Sequence, residues 1–135
     1  MAIELILKTP SVDTYLQLRT DGGLSGYARE AAETGLKNSL FSVMLLDGDR
    51  PIGMGRVIGD GGCFVQVTDI VVLPEYQGQG LGKRLMAAIT EFIETELPAT
   101  AYVSLIADVP ANRLYEQFGF RETAPRSVGM SRRVD

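Results

Sequence analysis

The stretch Leu73-Pro74-Glu75-Tyr76-Gln77-Gly78-Gln79-Gly80-Leu81-Gly82-Lys83-Arg84 joins an apolar run to an amphipathic one through a glycine-rich turn. Before it, Ile70, Val71 and Val72 are β-branched and predict a buried strand. After it, Leu81, Leu85, Ala88, Ile89, Phe92 and Ile93 recur at helical spacing until Pro98 stops the pattern. The reading is strand, loop, helix N-terminus. Such a terminus presents unpaired backbone N–H groups and the positive end of the helix dipole, which together suit a phosphate.

Spacing separates the phosphate-binding motifs that compete for these glycines. A P-loop requires a glycine where Gln77 stands and a hydroxyl side chain where Arg84 stands. The dinucleotide fingerprint requires a glycine at Lys83 and an early βαβ unit, and neither is present. What fits is Q-x-x-G-x-G, as Gln77, Gly80 and Gly82, preceded by Ile-Val-Val-Leu-Pro. This segment resembles the coenzyme A pyrophosphate loop of the GNAT superfamily of N-acetyltransferases. A second segment, Asn112-Arg113-Leu114-Tyr115-Glu116-Gln117-Phe118-Gly119-Phe120, with the spacing N-x-x-Y-E-x-x-G-F, looks like that family's late helix. Alone it would read as core aromatics with a glycine C-cap. Placed after the loop and one more strand, it follows the family's chain order.

The chain of 135 residues, 45% hydrophobic, predicts a single domain, 1–135, with one core. A net charge of −4 argues against a nucleic-acid surface. Cys63 is the sole cysteine, and there is no histidine, so neither a disulfide, a cysteine zinc cluster nor histidine chemistry is expected, and no metal. Without a long apolar segment the expectation is no membrane association and a cytoplasmic location.

Along the chain, Ile3 to Leu7 predicts a first strand. Ser11 or Asp13 caps a short helix with Val12, Tyr15, Leu16 and Arg19 at turn spacing, and a second helix spans Tyr27 to Leu36. Phe41 to Leu46, Ile52 to Ile58 and Cys63 to Leu73 are strand-like runs joined by Asp/Gly turns, an antiparallel meander. Ala101 to Ala107 predicts a fifth strand and Ser127 to Arg132 a closing one. Asp108 and Pro110 suit the start of the late helix.

The resemblance implies an α/β (α+β) GNAT fold: a mixed, mostly antiparallel sheet of about six to seven strands flanked by about four helices. It also implies a V-shaped splay between the fourth and fifth strands, with acetyl-CoA as cosubstrate in the gap. By resemblance, Ile70, Val71 and Val72 border the pantetheine arm, with backbone groups of Ile70 and Val72 pairing with it. Gln77, Gly78, Gln79, Gly80, Leu81, Gly82 and Lys83 hold the pyrophosphate, and Asn112 and Tyr115 complete the cofactor site. Lys83 and Arg84 are either phosphate contacts or solvated cations.

The implied reaction is direct transfer of acetyl to a primary amine of a small molecule, such as an amino sugar phosphate, an arylalkylamine or a polyamine-like acceptor. Tyr115 matches the family's tyrosine near the sulfur, and a phenol with pKa about 10 can protonate a thiolate. For the base, Asp69 and a water chain from Gln66 and Thr68 are the two candidates. Strict alternation puts Gln66, Thr68 and Ile70 on one face and Val67 and Asp69 on the other, unless a bulge shifts the phase. A phosphorylated acceptor would need cations, for which Arg29, Arg56 and Arg126 are available. Rival readings are a non-catalytic acyl-CoA-binding module and a protein N-terminal or lysine acetyltransferase. The family often forms homodimers through its C-terminal strands, so a homodimer is among the expected partners.

Overall fold

The computed structural model describes residues 2–135. Five strands form one sheet in the order β1 to β5: β1 (Ile3–Ile6), β2 (Phe41–Asp47), β3 (Arg50–Gly59), β4 (Phe64–Val72) and β5 (Tyr102–Ser104). The first four pair antiparallel, and β5 joins β4 in parallel. Four α-helices accompany them: α1 (Val12–Asp21), α2 (Arg29–Lys37), α3 (Leu81–Glu96) and α4 (Asn112–Glu116). The mixed, mostly antiparallel sheet is as expected, but with fewer strands than the six to seven anticipated. Ser127 to Arg132 forms no strand, and the fifth strand is shorter than the run from Ala101 to Ala107.

Local signals account for most of these boundaries. Ser11 caps α1, accepting from the Thr14 N–H at 3.2 Å. Asp60 Oδ1 accepts from the N–H groups of Gly62, Cys63 and Phe64, which ties the turn between β3 and β4 and, led by the Gly62 bond, lowers the Asp60 carboxyl pKa. In α3 the apolar stripe lies against the sheet, burying Leu81, Leu85, Met86 and Ile89. Val43, Leu45, Ile52, Met54 and Val57 meet them from β2 and β3 to complete the core. Gly55 is a glycine because of this packing: a Cβ there would stand 2.7 Å from Ile70 Cδ1 and 2.9 Å from Ile89 Cδ1.

The irregularity in β4 shapes the rest. Met54 pairs with Val71 but Arg56 pairs with Thr68, so β4 spends one residue more than β3 over this interval. Asp69 occupies the bulge with φ 59°, a left-handed conformation that Asp tolerates better than most side chains. The bulge changes the faces that alternation predicts. Asp69 lies on the α1–α2 side with Gln66 and Thr68, around a common pocket. Ile70 packs instead toward Ile89 of α3.

Pairing between β4 and β5 covers only Phe64 with Tyr102, Val65 with Val103 and Gln66 with Ser104. From Val67 to Val72, β4 therefore runs on without β5 beside it. This is the V expected between the fourth and fifth strands.

Candidate active site

A cleft of about 1030 Å³ lies in that V. Gln66 to Ile70 of β4 form one wall, and Leu105, Ile106, Asp108, Ala111 and Tyr115 form the other. The free edge of β4 is chemically specified by the strand's alternation. The Leu73 N–H donates to Ile52 O at 2.9 Å, so Leu73 points its backbone at the β3 side. Backbone direction reverses at each residue of a strand, which turns the N–H and C=O of Val72 and Ile70 toward the cleft edge. Gln77 Nε2 donates to Val72 O at 3.0 Å and so clasps the loop onto the strand's end. Val71, expected at the cofactor, is turned away: its backbone faces β3, and its side chain packs on Gly22, where a Cβ would stand 2.1 Å from Val71 Cγ2. Its contribution is to packing.

Beyond Val72 a single 3₁₀ turn, Pro74–Tyr76, leads into the glycine loop. Gly78 and Gly80 have φ of 82° and 77°, and a Cβ at either would point into open space. These two glycines serve backbone conformation and leave room for a ligand to lie against the chain. Gly80 caps α3 with no side-chain partner for the first turn. The first helical bond is Arg84 N–H to Gly80 O at 3.3 Å, so the N–H groups of Leu81, Gly82 and Lys83 have no helical partner. These free N–H groups open a helix of 16 residues and suit an anion, with Lys83 exposed beside them. Leu81 contributes its N–H while its side chain is buried in the core. Gln79 is exposed in the loop. Gly82 differs from the other glycines: a Cβ there would meet Leu114 Cδ2 at 3.2 Å, so it sets the fit between α3 and α4. Arg84 turns away and donates to Ile3 O at 2.9 Å.

Asn112, expected at the cofactor, is not among the residues that line the cleft; its Oδ1 is buried without a hydrogen-bond partner among the described residues, while its Nδ2 reaches Glu116 Oε1 at 3.4 Å. Tyr115 lines the cleft, and no protein hydrogen bond to its hydroxyl is found among the described residues. Burial, reinforced by the Asp108 charge, raises its pKa above the ordinary 10.0. The phenol is therefore a proton donor throughout the neutral range. Free loop N–H groups, left-handed glycines and an open strand edge all fit an acyl-CoA.

Asp69 is placed differently from a free base. Its Oδ1 receives Arg19 Nη1, and its Oδ2 receives both Arg56 Nε at 2.8 Å and the Tyr15 hydroxyl at 2.9 Å. All three partners are buried. Tyr15 has its pKa raised, by burial first and then by the adjacent Asp69 charge and hydrogen bond. Both oxygens of this carboxylate are thus engaged by groups of the same chain, and neither is left free to meet a substrate ammonium. These bonds tie the bulge of β4 to α1 and β3.

Arg19 and Tyr15 are the site residues that sequence reading did not assign. Arg19 shares the apolar stripe of α1 with Tyr15 and Leu18, and an arginine on a buried face requires an acid partner elsewhere in the chain. Where the C-terminal segment meets the loop after α1, Arg133 Nη1 donates to Gly26 O at 3.0 Å and its Nη2 donates to Ser25 Oγ. Tyr27 lies between Arg19 and Arg133, whose guanidinium carbons stand 4.5 and 4.9 Å from its ring centre. Ser131 to Val134 thereby borders the cleft.

Comparison with known proteins agrees with this geometry. Residues 24–130 match the family model of the acetyltransferase (GNAT) domain, and the chain belongs to that family, whose members use acetyl-CoA. A solved structure from meticillin-resistant Staphylococcus aureus, a protein of unknown function and probable acetyltransferase, is 48% identical over 98% of this chain and 100% of that one, with TM-score 0.93. A GNAT-family acetyltransferase of Streptococcus pneumoniae is 27% identical over 99% and 98% of the two chains, with TM-score 0.79. The probable acetyltransferase TAP2 of Glycine max is 34% identical over 87% of this chain and 51% of its own length. The chain thus spans about half the length of that curated relative. No helix among the described residues is long and apolar enough to cross a membrane.

One consequence of the loop geometry is directly measurable. Replacing Gly80 with Val puts a β-branched side chain at φ 77° and into the space over the free N–H groups. The left-handed conformation costs about 1–2 kcal/mol for an L-residue, which lowers the melting temperature of the apo protein moderately. The larger expected effect is on the ligand: stabilisation by acetyl-CoA in a thermal melt disappears. A variant stabilised as fully as the wild type would place the pyrophosphate elsewhere.

Proposed function

We propose that this domain transfers the acetyl group of acetyl-CoA to the primary amine of a small molecule, in the cleft between β4 and β5. The observation that carries the reading is the unpaired β4 edge from Val67 to Val72, which shares the cleft with Tyr115 as far as Ile70 and leads through one 3₁₀ turn to a loop of free N–H groups. A pantetheine arm pairs with the backbone of Ile70 and Val72, and its pyrophosphate lies on the N–H groups that end at Lys83. Cytoplasm is the proposed location.

The neutral amine attacks the thioester carbonyl carbon, the new C–N bond forms, and the C–S bond breaks as the tetrahedral centre collapses. The oxyanion needs an N–H donor, which the free edge at or beside Val72 supplies. The departing thiolate takes its proton from the Tyr115 hydroxyl. The proton lost by the amine leaves through water ordered by Gln66 and Thr68, since Asp69 is committed to Arg19 and Arg56. A small acceptor is favoured over a protein tail because Arg133 fastens the segment from Ser131 to Val134 onto Ser25 and Gly26, narrowing the mouth on that side.

A panel of amines incubated with acetyl-CoA, with release of the coenzyme A thiol followed, tests the proposal. Release with one class of small amine is the expected result. Tight acetyl-CoA binding without release for any small amine or peptide would instead identify an acyl-CoA-binding module. Release with peptides alone would move the acceptor to a protein amine.

A further inference from the structure

The cleft has a side pocket of about 250 Å³ between α2 and β4, and the two share Tyr27, Ala31, Gln66, Thr68 and Asp69. Arg56 forms part of its wall, with only 8% of its side chain exposed. The guanidinium is only partly used. Its Nε donates to Asp69, and its Nη1 donates to Gly35 O at 3.1 Å and Ser39 Oγ at 2.8 Å. No protein hydrogen bond from Nη2 is found among the described residues. That nitrogen lies beside Gly35, another pocket residue, where an added Cβ would stand 3.9 Å away.

The charge balance points the same way. Arg19 and Arg56 together face a single acid, Asp69, so the buried cluster carries one net positive charge. Asp69 is the sole acidic residue lining the side pocket, and it is neutralised. A buried cation in excess, with an unused donor on a side chain that lines a small cavity, is stabilised by an anion. A polycationic acceptor would meet the same charge as repulsion.

Resting on the acetyltransferase reading above, we infer that the acceptor amine carries an anionic group, a carboxylate or a phosphate, and that this group docks in the side pocket on Arg56 Nη2. Thr68 and Gln66 supply the hydroxyl and amide around it. The cleft then holds the amine near the thioester while the side pocket holds the anion, and the acceptor is selected by the spacing between them. Of the three arginines available to an anionic acceptor, the structure singles out Arg56. Arg29 is exposed and paired with Asp13 and Glu33, and Arg126 is exposed outside both cavities.

Matched amines test this. Phenylalanine is compared with 2-phenylethylamine for the carboxylate, and O-phosphoethanolamine with ethanolamine for the phosphate, each at saturating acetyl-CoA. In at least one arm the anionic member has kcat/KM higher by about tenfold or more, the scale of one charge-assisted hydrogen bond, and the arm that responds identifies the anion. Arg56→Gln brings the ratio close to one. Because that change also opens the ion cluster, Ile58→Trp, which fills the side pocket from β3 and leaves every side chain of the cluster in place, serves as the second variant and produces the same loss of preference. Equal or lower kcat/KM for the anionic member in both arms, or a preference that survives both substitutions, overturns the inference. If no amine is acetylated, the transferase reading fails separately. The pocket is then tested by thermal stabilisation with phenylalanine and with O-phosphoethanolamine in the presence of coenzyme A: stabilisation lost in Ile58→Trp supports the anion site, and none with either probe refutes it.

Discussion

Tyr115→Phe lowers kcat by about 10²-fold, the low end for general acid catalysis, while acetyl-CoA binding and the melting temperature stay close to wild type. The substitution keeps the ring that fills the cleft wall and removes only a hydroxyl with no protein partner among the described residues. Nothing buried is left unsatisfied, so the fold has little reason to respond. The chemical step does respond, because the leaving thiolate then has no positioned acid. The pH dependence follows from the raised pKa of this phenol. An alkyl amine with pKa about 10.4 supplies more neutral nucleophile as pH rises, so the wild-type rate climbs through the neutral range. It falls only above pH 10, as Tyr115 loses its proton. In the Phe variant that alkaline fall is absent. A variant with unchanged kcat would show that the thiolate departs without this acid, and a variant that fails to fold would mark Tyr115 as a packing residue alone.

What could be read from the sequence was local in the chain. The glycine loop, the stripe of α3 and the late helix are encoded by neighbours within a few turns, and periodicity finds such elements. So does motif spacing, which is why Gly78, Gly80, Leu81 and Lys83 stand where the loop reading puts them. Three features needed distant partners. Val71 was assigned to the cofactor with its neighbours, but the direction of its backbone depends on the Leu73 bond to Ile52, across the sheet. The phase of β4 depends on one extra residue, and a bulge at Asp69 has no signature in a run that otherwise alternates. The role of Asp69 itself depends on Arg19, 50 positions earlier, and on Tyr15, 54 positions earlier. An acid in an apolar run announces that it has a partner, but not whether the partner is a substrate ammonium or two arginines of the same chain. The segment from Ser127 to Arg132 failed for another reason. Its pattern suits a strand, yet an edge strand forms only where a neighbour presents a free ladder, and β5 ends at Ser104.

Asp69→Ala destabilises the fold by about 3–5 kcal/mol, the usual cost of removing one partner from a buried ion pair. The carboxylate has only 3% of its surface exposed, and its loss strands two buried guanidiniums and a phenol. Asp69→Gly separates this electrostatic cost from the backbone's. Both variants lack the carboxylate, but glycine adopts φ 59° freely, so it recovers about 1–2 kcal/mol relative to Ala. Urea unfolding of the two variants measures the difference. The functional consequence separates a positioning residue from a base. Asp69→Asn keeps the side chain's shape and weakens its hold on Arg19 and Arg56, so the bulge loosens and the Ile70–Val72 edge is less well placed. Acetyl-CoA affinity then falls together with kcat, and the rate keeps its rise with pH because the amine is deprotonated through water. A base at Asp69 would produce the reverse: acetyl-CoA affinity intact, and a pH profile displaced or flattened. Full stability together with that reversed pattern would return Asp69 to the proton path and leave the bulge to be held by its backbone pairing alone.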